Sequence, residues 1–142
     1  MDQLADRQAI VDLTTAYSYA LDDRRFDDLD DVFVADATAE LGWPLQGRQA
    51  IKDRVRDALV PLDASQHLVA THRVQVDGDQ ATGRCYLQAQ HVRAGAAGGS
   101  QFMVGGRYED HYVRTPDGWR IAHRALVVLW TDGNPAVLNR EG

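Results

Sequence analysis

Three of the chain's five histidines, His67, His72 and His91, fall within one stretch, Ser65 to Gly95. Histidine's ordinary pKa lies near neutrality, so a histidine facing a cavity is a natural base for taking a proton from carbon. Which of the three share a face depends on the element that carries them. The stretch reads as a β-hairpin, with a turn at Asp77-Gly78-Asp79 between two alternating runs. In its second arm, period-2 alternation puts Ala81, Gly83, Cys85, Leu87, Ala89 and His91 on one face. Thr82, Arg84, Tyr86, Gln88 and Gln90 fall on the other. A small, mostly apolar face ending in a histidine predicts the wall of a pocket. In the first arm His72 goes with Val74 and Val76, whereas His67 goes with Val69 and Thr71. Strict alternation therefore sends His67 and His72 to opposite faces unless a bulge intervenes. His72 and His111 are expected to be surface or interface residues; His123 stays ambiguous, because Arg124 beside it points the other way.

Other chemistries lack their signatures. No HExxH, paired-cysteine or closely spaced His/carboxylate set is present, so neither a metal nor a cofactor is expected. There is no GxSxG elbow and no dinucleotide or phosphate-binding glycine pattern; Gly105-Gly106 is expected to bend a curved sheet. The single cysteine, Cys85, excludes an internal disulfide and reads as a buried, inert thiol. A net charge of −6, with Lys and Arg scattered among acids, argues against a nucleic-acid partner. No run is long enough to span a membrane, and MDQLADRQ has neither the basic nor the apolar part of a signal peptide. The expectation is a cytoplasmic protein with no membrane partner.

The elements that must position these residues follow from periodicity. A chain of 142 residues, 44% hydrophobic and 25% charged, is sized and composed for one globular domain. Asp6 to about Leu21 reads as an amphipathic helix with Ile10, Leu13, Tyr17 and Ala20 or Leu21 on its stripe. A short second helix, Phe26 to Val34, would bury Phe26, Leu29, Val32 and Phe33. Ala37 to Leu41 reads as a short strand, followed by a loop through Trp43 to Gly47. A third helix runs from Arg48 to about Leu59, with Ile51, Val55 and Leu59 in line and Pro61 to stop it. After the hairpin comes a Gly/Ala-rich connection expected to be flexible, Ala94 to Ser100. The strand Gln101 to Arg114 follows, with Phe102, Val104, Tyr108 and Tyr112 on one face. A turn at Thr115 to Gly118 leads to a last strand, Trp119 to about Trp130, that is apolar on both faces. Three helices and an antiparallel sheet of four longer strands plus a short one predict an α+β domain. The doubly apolar last strand predicts a homodimer or homotrimer.

Four pieces of the chain carry a resemblance: TTAYSYALDDRRFDDLDDVFVADATAE, SQHLVATHRVQVDGDQA, GGRYEDHYVRTPDGWRIAHR and the Gly47-Arg48-Gln49-Ala50-Ile51 helix entry. Together they resemble the SnoaL-like branch of the NTF2-like superfamily. That resemblance implies a cone of three N-terminal helices packed on a strongly curved, mostly antiparallel sheet that encloses a pocket. The same fold hosts dehydratases, dehydrohalogenases, isomerases, dioxygenase subunits and non-catalytic binders. Among its members, scytalone dehydratase, bile-acid 7α-dehydratase and hexachlorocyclohexane dehydrochlorinase pair an aspartate at the end of the first helix with a histidine on the strand after the third. Asp22 and His67 stand at those places. By the same resemblance Tyr17, His91 and Arg124 match cavity residues, and Thr71 stands where many relatives have asparagine.

The resemblance thus implies His67 as base and Asp22 as the carboxylate that orients it, a pair suited to β-elimination. Tyr17 would hydrogen bond a substrate oxygen, or simply be a core tyrosine. His91 would protonate a departing hydroxyl, or be structural. Arg124 would stabilise a leaving anion, or pair with one of the many carboxylates. Trp43 would cap the cavity mouth, or only pin its loop. The expectation is a cofactor-independent lyase or isomerase for a small, apolar, cyclic molecule of the polyketide, steroid or terpenoid kind. The rival expectations are a non-catalytic ligand binder and a small dioxygenase subunit.

Overall fold

The computed structural model describes residues 3–138. Helix α1 (Gln3–Asp22) buries Ile10, Leu13, Tyr17, Ala20 and Leu21, the stripe set by helical spacing. Asp22 is its last residue. The chain leaves through Arg24, whose backbone is left-handed at φ 59°. The expected second helix is a six-residue 3₁₀ helix, Phe26–Asp31. Phe26, Leu29, Val32 and Phe33 are buried together, but Phe33 already belongs to a strand. The aromatic and β-branched run Val32-Phe33-Val34 suits a sheet, and Val32 O accepts from Ile121 N at 2.7 Å.

The strands are β1 (Phe33–Glu40), β2 (Pro44–Gln46), β3 (Ala64–Asp77), β4 (Gln80–Val92), β5 (Gln101–Thr115) and β6 (Gly118–Gly133), with helix α2 (Arg48–Leu59) between β2 and β3. They form one open sheet in the order β2-β1-β6-β5-β4-β3. All neighbours are antiparallel except β1 and β6, which run parallel. Two expectations are corrected here. The loop after Trp43 pairs with β1 as β2, and the strand expected from Ala37 begins at Phe33 and makes the sheet mixed. Helix α2 has the expected bounds, with Ile51, Val55 and Leu59 buried. The α+β class and the three helices over a curved sheet are as the resemblance implied.

Bulges shape the sheet and fix where its side chains point. In β3, Ala70 pairs with Tyr86 and Arg73 with Arg84, so Thr71 and His72 share the place opposite Cys85. Thr71 has φ 60°, the left-handed conformation that opens the bulge. Alternation changes phase there. Ser65, His67 and Val69 face inward before it, and His72, Val74 and Val76 face inward after it. The expectation that His72 lies on the surface is therefore corrected. It is half-buried, with Nε2 2.8 Å from Thr14 Oγ1 on α1. Because the Thr14 hydroxyl donates to Val11 O at 2.7 Å, it is free to accept from His72. A second bulge lies between Gly105 and Gly106. A Cβ on Gly105 would collide with the Trp130 indole, and one on Gly106 with Val127 O.

Candidate active site

The end of α1 meets the start of β3 at Asp22. Its Oδ1 accepts from His67 Nδ1 at 2.6 Å and from Ser65 Oγ at 2.9 Å, and its Oδ2 accepts from His67 N at 2.7 Å. Arg24 Nη1 donates to Ser65 Oγ at 2.8 Å and to Leu21 O at 2.7 Å, tying the helix end to the strand. Burial alone would raise the Asp22 carboxyl. The hydrogen bonds from His67 and Ser65 outweigh it and hold the group below its usual range. Asp22 is thus a carboxylate near neutral pH, which can only accept, so Nδ1 of His67 carries the proton. In the neutral ring the lone pair then sits on the other nitrogen, Nε2. Only 7% of the His67 side chain is exposed.

His67 lines a cavity of about 120 Å³. Its walls are mainly apolar, with Leu21, Val55, Leu59, Leu87, Val104 and Leu126 among them, and its polar groups are Tyr17, Tyr108, His67, His91 and Arg54. The expected inner face of β4 supplies Leu87, Ala89 and His91. His91 Nδ1 lies 2.9 Å from Phe102 O. A carbonyl cannot donate, so this nitrogen carries the proton. Burial pushes the His91 pKa down, outweighing the bond to Phe102. Neutral His91 therefore presents an unprotonated Nε2, an acceptor rather than the acid considered for it. Its ring meets His67 edge-on, with centroids 5.9 Å apart.

The remaining residues named from sequence divide. Tyr17 lines the cavity and packs edge-on against Tyr108 at 5.6 Å and Phe33 at 5.9 Å. Arg124 does not line it. Fully buried, Arg124 makes two bonds of 2.9 Å to Asp110, which also accepts from the Tyr112 hydroxyl at 2.7 Å. Its Nη1 has no hydrogen-bond partner among the described residues. Its charge lies instead against the faces of Tyr108 (3.8 Å) and Tyr17 (4.4 Å). Trp43 is exposed and stacks with Arg54, whose Cζ is 4.1 Å from the ring centroid. It belongs to a shallow outer depression that shares Arg54, Ala58 and Leu138 with the cavity. A larger hollow of about 820 Å³, with Arg73, Arg84, His111 and His123 in its lining, contains neither Asp22 nor His67. Its wide opening and charged rim do not suit an apolar substrate.

Sequence reasoning did not single out Ser65, Arg24, Arg54 or the cavity role of Tyr108. Ser65 had a signal, since it lies two residues before His67 and so on the same strand face. Arg54 had none, because it is one of several arginines on a polar helix. Among the described residues, no three His, Cys, Asp or Glu side chains group to hold a metal, and no helix is long and apolar enough to cross a membrane.

Comparison with known proteins agrees with this fold. The Kfla4162 protein of Kribbella flavida superposes with a TM-score of 0.89 at 27% identity, covering 98% of this chain and 99% of that one. Hexachlorocyclohexane dehydrochlorinase LinA-type3 of Novosphingobium barchaimii superposes with a TM-score of 0.80 at 19% identity, over 92% and 90% of the two chains, a likeness of fold. In sequence, the uncharacterised protein Rv2910c of Mycobacterium tuberculosis is 40% identical over 127 residues, 86% of this chain and 84% of that protein. Residues 2–125 match the SnoaL-like domain, and the chain belongs to that family.

Proposed function

We propose that the protein is a cofactor-independent lyase or isomerase in which His67 is the general base and Asp22 its orienting partner. One observation carries this reading: the Asp22 carboxylate fixes the proton on Nδ1 of His67, leaving Nε2 as the basic nitrogen beside a mainly apolar cavity. His67 Nε2 takes a proton from a carbon next to a carbonyl. The C–H electron pair becomes a carbon–carbon double bond, and the leaving group departs with its own bonding pair. For a hydroxyl leaving group the proton returns from His67, and the products are an alkene and water. In isomerisation it returns to another carbon. Burial raises the phenol pKa of Tyr17 and Tyr108, so both remain protonated, and a phenol lining the cavity can donate to the carbonyl oxygen as negative charge builds there. Arg124 behind their rings favours that charge. A volume of about 120 Å³ is comparable to a cavity that accepts one benzene ring. Of the expected substrate classes, it favours single-ring molecules over steroids.

The test begins with mass spectrometry of small molecules that the purified protein retains. A retained carbonyl compound is then incubated with the protein in D₂O, and exchange of its acidic C–H is followed by NMR. The wild-type protein should catalyse exchange and His67→Gln should not. Exchange that persists in a folded His67→Gln protein removes His67 as base. Retention without exchange or turnover makes the protein a binder.

A further inference from the structure

Arg54 occupies an unusual position for a cation. It lines the apolar cavity beside Val55, Ala58 and Leu59 on α2, and stands at the rim shared with the outer depression. Its Nε donates to Leu41 O at 3.0 Å, and one guanidinium face rests on Trp43. Those contacts fix the plane but leave the two terminal amino groups without a carboxylate among the described residues. Asp57, exposed and three residues along α2, acts on it only from beyond ion-pair distance. Three other arginines that are buried or half-buried have a carboxylate partner: Arg114 with Asp6, Arg124 with Asp110 and Arg48 with Asp30; half-buried Arg24 instead spends its donors on Leu21 O and Ser65 Oγ. Acids are not scarce, since the chain has 21 against 15 Lys and Arg. No carboxylate lines the cavity, and Asp22, behind His67, is engaged by His67 and Ser65. A half-buried cation beside an apolar chamber is costly unless an anion joins it.

We propose that Arg54 is the recognition site for an acidic group, a carboxylate carried by a single-ring substrate. The planar fork binds both carboxylate oxygens at the rim. The ring enters the chamber among Leu87, Val104 and Leu126, and the far side of the ring reaches His67. Trp43 is then a support that holds the guanidinium in register rather than a lid. This deepens the proposed function by naming a substrate class for the same cavity.

The test compares two probes of one shape, benzoate and uncharged benzyl alcohol, by calorimetry and by tryptophan fluorescence. The wild-type protein should bind benzoate about tenfold or more tightly than benzyl alcohol, the scale of a charge-assisted bidentate contact. Arg54→Gln should erase the preference while keeping weak benzyl alcohol binding. Arg54→Lys should keep part of it, because the charge remains and the fork is lost. His67→Gln should retain it. Equal affinities in the wild-type protein, absence of saturable benzoate binding, or a preference that survives Arg54→Gln would each overturn the assignment. Benzoate preference without proton exchange leaves Arg54 standing and removes only the catalytic reading of His67.

Discussion

At the scale of residues, Asp22 and His67 act as one unit, and their effects should combine as one. His67→Ala should lower the chemical step by about 10²–10⁴-fold. Asp22→Asn keeps the shape but offers an amide where His67 needs a carboxylate, so it should also damage the rate severely. Because both changes disable the same step, the double variant should be little worse than the poorer single one; additive losses would show two independent roles. His72 is no control, since it faces inward against Thr14. His111, bonded to Gln80 on the outer side, is the control and should leave turnover intact. The pair also leaves a mark on stability. The folded Asp22 carboxyl lies below the ordinary value of an aspartate, so the unfolded chain takes up this proton first on acidification. Its stabilising contribution is complete above that value and is lost as pH falls through the folded pKa. The stability gap between wild type and Asp22→Asn should be level above about pH 5 and shrink below about pH 4. Denaturant titrations across that range check it, and a gap that widens with acid would reverse the assignment.

At the scale of elements, the bulge in β3 decides which histidines meet the interior, and it rests on Thr71. A β-branched residue at φ 60° is held in a conformation that costs about 1 kcal/mol or more. Asparagine enters that region more readily. Thr71→Asn should therefore stabilise the protein by about 0.5–1 kcal/mol with the cavity unchanged. A clear drop in melting temperature would mean that the threonine makes a contact worth more than the strain. The same bulge marks the boundary of what the sequence could tell. Alternation correctly placed Ala81, Cys85, Leu87, Ala89 and His91 inward, because β4 keeps one phase from end to end. It failed for His72 because no residue pattern announces a left-handed threonine. Helix α2 was legible to its ends, bounded by Gly47 and Pro61, whereas Val32-Phe33 was claimed from the short helix by a strand nearly ninety residues later. The places of Asp22 and His67 were legible only through resemblance. Their pairing depends on α1 ending against β3, a tertiary fact that neither segment carries alone.

At the scale of the whole molecule, the outer face of the sheet carries apolar side chains that the helices do not cover. Leu68, Tyr86 and Trp130 are exposed on it. Leu68 on β3 and Trp130 on β6 belong to one row across four strands, through Gln88 and Gly105. Gly105 lets the indole lie flat across the sheet, which broadens the patch. Association through the free edge of β3 is the competing route, but the bulge at Thr71 and His72 breaks the run of unpaired backbone groups there. A face-to-face contact between copies is therefore expected, burying more than about 1,000 Å² in total. The protein should sediment as a dimer or trimer at micromolar concentration. Leu68→Glu should drive it towards monomer without changing its circular dichroism, because a charge at the centre of such a contact is desolvated without a partner. Leu4→Glu, an exposed leucine on α1 away from that face, should leave the assembly intact. A wild-type monomer at high micromolar concentration would show that the apolar row serves something other than a second copy.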